Sequence, residues 1–159
     1  MSTVGSEPVK DRVTWADLDR LVAELAAEIG DADGYDLLLA VTRGGLVPAG
    51  MLAYRLGIRE ILVAAVEYYD DEGTTRDAAF FHHFPDAELL RGNRVLVVDE
   101  VWETGTTMAA VVARVRAAGG EPTTAVLHYK PGRSRVPDSP DHWAATTERW
   151  VVYPYKAGR

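Results

Sequence analysis

The sequence predicts an α/β domain with a mostly parallel, twisted sheet flanked by helices, and three observations predict it. Apolar runs of strand length alternate with segments of helical period along most of the chain. Several runs, "LLLAV" and "VLVV" among them, are apolar at consecutive positions, as strands buried on both faces are. The length, 159 residues, suits one domain with a full core, assigned to residues 1–159.

The first residues, "MSTVGSEPVKDR", lack the apolar stretch of a signal peptide and read as a flexible tail over 1–12. "TWADLDRLVAELAAEIG" follows with apolar residues at Leu18, Leu21, Val22, Leu25, Ala26 and Ile29, a helical period. Thr14 and Asp17 have the spacing of a capping box, and Gly30 suits the stop. "YDLLLAV" reads as a buried strand, "TRGG" as a turn, "LVPAGMLAYRLG" as a helix and "EILVAAVEYY" as a strand. From Asp70 to Gly92 the chain is polar and aromatic without a clear period, and a long loop is expected. "NRVLVVDE" is a strand, "TTMAAVVARVRAAGG" a helix closed by Gly119 or Gly120, and "TTAVLHYK" a strand. The remainder, Pro131 to Arg159, holds four of the eight prolines and two of the four tryptophans, and reads as loop and short strand.

A net charge of −7 argues against a nucleic-acid-binding surface, so no nucleic-acid partner is expected. No apolar run approaches the roughly 20 residues of a membrane span, and no membrane partner is expected. Without cysteine, disulfides and thiolate metal sites are excluded, and a cytoplasmic location is expected.

In open parallel sheets ligands bind beyond the carboxyl ends of the strands, near a topological switch point. Three strand ends here carry unusual chemistry, "VTRGG", "VVDEVWETGTT" and "HYKPGR", and they are expected to converge on one rim. In "ETGTTM", Gly105 permits close backbone approach and Thr104, Thr106 and Thr107 add hydroxyls. The next helix offers free N–H groups and a positive dipole end. That makes either a phosphate cradle or a strand-to-helix turn with a threonine cap; it is not a Walker loop, whose first glycine and lysine are missing. Asp99 and Glu100 end the strand just before it, either as a solvated acidic end or as acceptors for sugar hydroxyls with Mg²⁺ nearby. Glu103 lies at the lip of the cradle, as a dipole-complementing acid or as a reactive one.

Taken together, the apolar strand, D-E-x-x-E and T-G-x-T resemble the phosphoribosyl diphosphate (PRPP) binding motif of type I phosphoribosyltransferases. "VTRGGLVPAG" resembles the diphosphate loop of the purine members, similar to the xanthine–guanine enzyme. "HYKPGR" and "PDHWAATTERWVVYP" resemble their purine-binding region. The resemblance runs from about Asp36 to Pro154, and implies the type I fold with a mobile flap and a small base-binding hood over 131–159.

The resemblance implies that Thr104, Gly105, Thr106 and Thr107 bind the ribose 5′-phosphate, and Asp99 and Glu100 the ribose 2′ and 3′ hydroxyls. It implies that Thr42, Arg43, Gly44 and Gly45 bind the diphosphate, with a cis peptide at Thr42–Arg43 or Arg43–Gly44. Mg²⁺ is the implied cofactor, held mainly through the substrate, with Asp99 the candidate protein ligand. Lys130 would donate to the 6-oxo group of the base, Trp150 stack on the ring and Val151 supply backbone contacts. The other readings make Lys130 a solvated loop residue and Trp150 a core residue, or give the stacking role to Trp143. Glu103 would move a proton at the base, although the family usually has aspartate there. Tyr68, Tyr69, His82 and His83 would belong to the flap. The implied function is purine salvage, in which PRPP and a 6-oxopurine give the nucleoside 5′-monophosphate and diphosphate. The implied assembly is a homo-oligomer, dimer or tetramer. The competing readings are a non-catalytic PRPP or nucleotide sensor and a phosphoribosyltransferase for another base.

Overall fold

The computed structural model of the protein describes residues 6–31, 34–68 and 78–156. Its centre is a six-stranded sheet in the order β4-β3-β2-β5-β6-β7. The strands are β2 (Leu37–Thr42), β3 (Ile61–Tyr68), β4 (Ala79–His83), β5 (Arg94–Trp102), β6 (Glu121–Tyr129) and β7 (His142–Thr146). All neighbours pair in parallel except β3 and β4. The strands that read as continuous apolar runs, β2 and β5, are the two central ones. Leu37 to Val41 and Val95 to Val98 are buried, because helices cover both faces of the sheet there.

On one face, α1 (Trp15–Ile29) and α2 (Leu46–Leu56) pack on Leu38, Ala40, Leu96, Val98, Ala125 and Leu127. The apolar stripe Leu18, Leu21, Val22 and Leu25 is the buried face of α1. Its start is the expected capping box: Thr14 Oγ1 accepts from Asp17 N at 3.1 Å, and the Thr14 N–H donates back to Asp17 at 2.9 Å. Pro48 falls in the first turn of α2, where its missing N–H leaves no bond unmade. On the other face, α4 (Thr106–Ala117) buries Met108, Val111 and Val115 against Leu37, Leu39, Val95 and Val97.

Three expectations need correction. Part of the expected tail is a strand: β1 (Lys10–Arg12) pairs in parallel with β8 (Trp150–Val152), and the Val13 N–H donates to Val152 O at 2.9 Å. Residues 1–5 lie outside the described residues. The expected long loop contains β4 and a short helix, α3 (Ala87–Leu90). Arg114 of α4 fixes this region by stacking its guanidinium 4.3 Å from the Phe81 ring and 4.9 Å from that of Phe84. Residues 69–77, Tyr69 with them, lie outside the described residues. Finally, β5 continues past Glu100, because Val101 and Trp102 still pair with His128 and Tyr129 and Trp102 is buried.

The C-terminal region from Pro131 divides: β7 completes the main sheet, while β8 joins β1 in a separate two-stranded sheet. Among the described residues no helix is long and apolar enough to cross a membrane.

Candidate active site

The sheet order reverses between β2 and β5, and the crevice at their carboxyl ends is the switch point. A cavity of about 320 Å³ opens there, lined by Val41, Thr42 and Gly44 from the end of β2 and by Asp99 to Gly105, Thr107 and Met108 from the end of β5 and the start of α4. Lys130, just past β6, reaches its rim through Glu103. The three chemically unusual strand ends therefore meet.

Gly105, not a threonine, is the N-cap residue of α4, and Thr104 Oγ1 accepts from the Thr106 N–H at a long 3.4 Å. First-turn N–H groups have no intrahelical partner and with the helix dipole suit an anion, while the Thr104 contact keeps part of the threonine-cap alternative. The turn is braced from three sides. Thr104 Oγ1 and Thr106 Oγ1 are 2.8 Å apart, Arg135 N donates to Thr104 O at 2.8 Å, and Tyr68 Oη donates to Thr106 O at 2.6 Å. Gly105 has φ +81°, and a Cβ there would lie 2.4 Å from Trp102 Nε1. The Trp102 ring is itself fixed by its donation to Ser134 Oγ at 3.2 Å.

The strand pleat separates the two adjacent acids. Glu100 turns toward the C-terminal segment, where its carboxylate accepts from Tyr155 Oη at 2.5 Å and pairs with Lys156. Behind it, Tyr153 Oη donates to Glu100 O at 3.1 Å and lies 2.8 Å from His128 Nδ1. With the phenol proton so used, the Nδ1 of His128 is the donor. Burial lowers the His128 pKa, in keeping with a neutral ring. Asp99 takes the Glu100 N–H at 2.7 Å. Burial pushes its carboxyl up to about 7; the Glu100 N–H and Lys156 oppose the rise and the Glu100 charge adds to it.

An acid raised from 3.8 to about 7 binds more protons folded than unfolded between those values, so the fold loses stability as pH climbs through that window. Asp99→Asn keeps the acceptor and cannot ionise. Its melting temperature without Mg²⁺ should equal the wild type below the window and exceed it increasingly up to neutrality. A pH-independent difference would show that Asp99 is not desolvated.

At the end of β2 the Thr42–Arg43 peptide is cis, one of the two positions expected. The loop is packed so closely that a Cβ on Gly44 would lie 2.4 Å from Glu100 Cδ, and one on Gly45 2.5 Å from Val41 O. Arg43 and Gly44 face a second cavity of about 490 Å³, shared with Trp150, Val151, Val152, Tyr155 and Lys156.

Lys130 is not a solvated loop lysine. It is 3% exposed, its ammonium lies 3.3 Å from Glu103 Oε1 and 5.9 Å from the centre of the Trp150 ring. The same Glu103 oxygen is 3.3 Å from Arg133 Nη1. Trp150 is 64% exposed, so it is no core residue, whereas Trp143 leans on Tyr129 at 5.3 Å. Val151 buries its side chain and lines the second cavity. His82 is engaged with Glu67 at 2.6 Å. Arg133, Tyr155 and Lys156 escaped the sequence reading. Arg133 stood in the quoted "HYKPGR" without a partner to give it meaning, and the other two follow β8 with no local pattern aimed at Glu100.

Residues 14–155 match the phosphoribosyl transferase domain family. A xanthine-guanine phosphoribosyltransferase from Idiomarina loihiensis is 33% identical over 144 residues, 90% of this chain and 84% of that protein. The crystal structure of a purine phosphoribosyltransferase from Pyrococcus horikoshii is 30% identical with a TM-score of 0.79, covering 94% of this chain and 95% of that one. A hypothetical protein from Neisseria gonorrhoeae, solved with bound ppGpp, is 31% identical with a TM-score of 0.82, covering 97% and 93%. With the family matched over most of its length and a relative 33% identical over 90% of it, this chain belongs to the phosphoribosyltransferases.

Proposed function

We propose that the protein is a purine salvage enzyme that transfers phosphoribose from PRPP to a 6-oxopurine, giving the nucleoside 5′-monophosphate and diphosphate. The observation that carries this reading is the buried Lys130 ammonium between Glu103 and Trp150, beside the α4 cradle. An ammonium donates and never accepts, so it suits the 6-oxo group of hypoxanthine, guanine or xanthine and not the 6-amino group of adenine.

In this reading Thr104 to Thr107 hold the 5′-phosphate, Asp99 and Glu100 the ribose, and Thr42 to Gly45 the diphosphate. Trp150 stacks on the base, worth about 0.5–1.5 kcal/mol beyond area burial, and Val151 supplies backbone contacts. The base nitrogen attacks C1′ as the diphosphate leaves, and positive charge grows on the sugar between them. Fixed N–H groups and the Arg43 loop meet the leaving charge, and the cradle holds the sugar in line. Glu103 takes the proton that the base gives up, and its partners Lys130 and Arg133 fix where that carboxylate sits. Mg²⁺ would be held mainly through the substrate, with Asp99, on the first cavity, the candidate protein carboxylate, since Mg²⁺ usually binds through one or two carboxylates plus substrate phosphates. When bound it would neutralise diphosphate charge. A homo-oligomer, dimer or tetramer, and a cytoplasmic location complete the proposal.

Diphosphate release with PRPP, Mg²⁺ and each of hypoxanthine, guanine, xanthine, adenine, uracil and orotate tests it. Release with 6-oxopurines alone is the expected result. Release with a pyrimidine would assign another base. One observation favours the sensor reading: the gonococcal relative holds ppGpp. Tight PRPP or ppGpp binding with no release from any of the six bases would decide for a sensor.

A further inference from the structure

We propose that Lys156 is an anion-binding residue of the diphosphate subsite, parked on Glu100 until the diphosphate of the substrate arrives. The inference rests on the salvage reading and adds a residue to it. Lys156 ends the 3-10 turn Pro154–Lys156 that follows β8, and it lines the second cavity together with Arg43 and Gly44. Among the described residues, the side chains lining that cavity carry two positive charges, Arg43 and Lys156, and no negative one. A cavity with that balance, bordered by the backbone of the "TRGG" turn, suits a dense polyanion.

Glu100 ties the lysine to this place. Its side chain is so close beneath Gly44 that a Cβ there would overlap it, and the same carboxylate pairs with Lys156. The ammonium therefore already sits at the diphosphate loop. Its side chain is nevertheless 47% exposed, against 10% for Glu100, so the lysine end of the pair is wet and the glutamate end is fixed. A four-carbon stem with three rotatable donors can swing from a carboxylate to an adjacent phosphate without main-chain movement.

Glu100 tolerates the exchange. Its second oxygen keeps the Tyr155 hydroxyl at 2.5 Å, and that hydroxyl lies 3.2 Å from Gly44 O, so the turn stays joined to the loop when the ammonium leaves. The departure uncovers the carboxylate oxygen that the ribose hydroxyls need. Arrival of diphosphate and exposure of the ribose acceptor thus become one event.

Titration calorimetry with inorganic diphosphate and Mg²⁺, and separately with GMP and IMP, tests the assignment on wild type, Lys156→Met, Lys156→Gln and Lys156→Arg. Lys156→Gln keeps a donor for Glu100 without the charge, and guards against a Met variant that misfolds. Loss of one charged hydrogen bond predicts about 10-fold or more weaker diphosphate binding in both neutral variants. Binding of the monophosphates should hold, and Lys156→Arg should recover most of the diphosphate affinity. Unchanged diphosphate affinity in Lys156→Gln, or equal loss for diphosphate and monophosphates, would overturn the assignment while leaving the salvage reading intact. Wild type that binds neither diphosphate nor either nucleotide would overturn both.

Discussion

Lys130→Met is expected to lower kcat/KM for 6-oxopurines by roughly 100-fold, the loss of about 2–3 kcal/mol that follows removal of a buried charged hydrogen bond. Methionine fills nearly the same volume, so the site between Glu103 and Trp150 does not collapse. Glu103 keeps Arg133 as a partner at 3.3 Å and is not left unpaired. PRPP affinity should be untouched, since the cradle and the "TRGG" loop lie on other strand ends. Steady-state kinetics with a saturating sugar donor and direct PRPP titration separate the two quantities. If PRPP binding and base use fell together, Lys130 would be a structural residue and the 6-oxo assignment would be lost.

A second large effect is expected at Gly105. Alanine there meets two obstacles at once: φ of +81°, and a Cβ 2.4 Å from Trp102 Nε1 and 2.6 Å from Val136. The left-handed backbone costs a non-glycine residue about 1–2 kcal/mol, and overpacking typically adds about 1–3 kcal/mol. Trp102 cannot yield cheaply, because it is 3% exposed and bonded to Ser134. Gly105→Ala should therefore lose about 2–5 kcal/mol of stability, which corresponds to roughly 4–20 °C in melting temperature. The strain falls on the first turn of α4, so PRPP binding should weaken about 10-fold or more through misplaced N–H donors. Calorimetric melting and PRPP titration check the two halves. A variant with wild-type melting and wild-type affinity would show that the turn is looser than its packing implies.

The features legible in the sequence share a cause: they are set by residues a few positions apart. The capping box of Thr14 and Asp17 is a contact over three residues, and the periods of α1, β2 and β5 follow from which face must be buried. The turn into α4 is legible too, because Gly105, the flanking threonines and the helix start are contiguous. The two expectations that failed most plainly lacked such local cause. Lys10 to Arg12 carry no apolar residue, and the strand exists only because Trp150 to Val152 come alongside from the far end of the chain. The β4 strand has an exposed, aromatic pattern whose order comes from pairing with β3 and from Arg114 stacked on Phe81 and Phe84.

By itself the sequence determined the fold class, the two central strands, the cap of α1 and the three strand ends that carry chemistry, since each is written in neighbouring residues. Only the tertiary structure decided which of these groups touch. It turned Asp99 and Glu100 to different partners, seated Lys130 between Glu103 and Trp150, and set Tyr155 and Lys156 on Glu100. The reason is physical: pleat, strand order and burial fix distances between residues tens of positions apart, and a partner that distant leaves no local pattern. Charge and hydrogen bonding at the rim depend on those distances, so the chemistry of the site is a property of the assembled sheet.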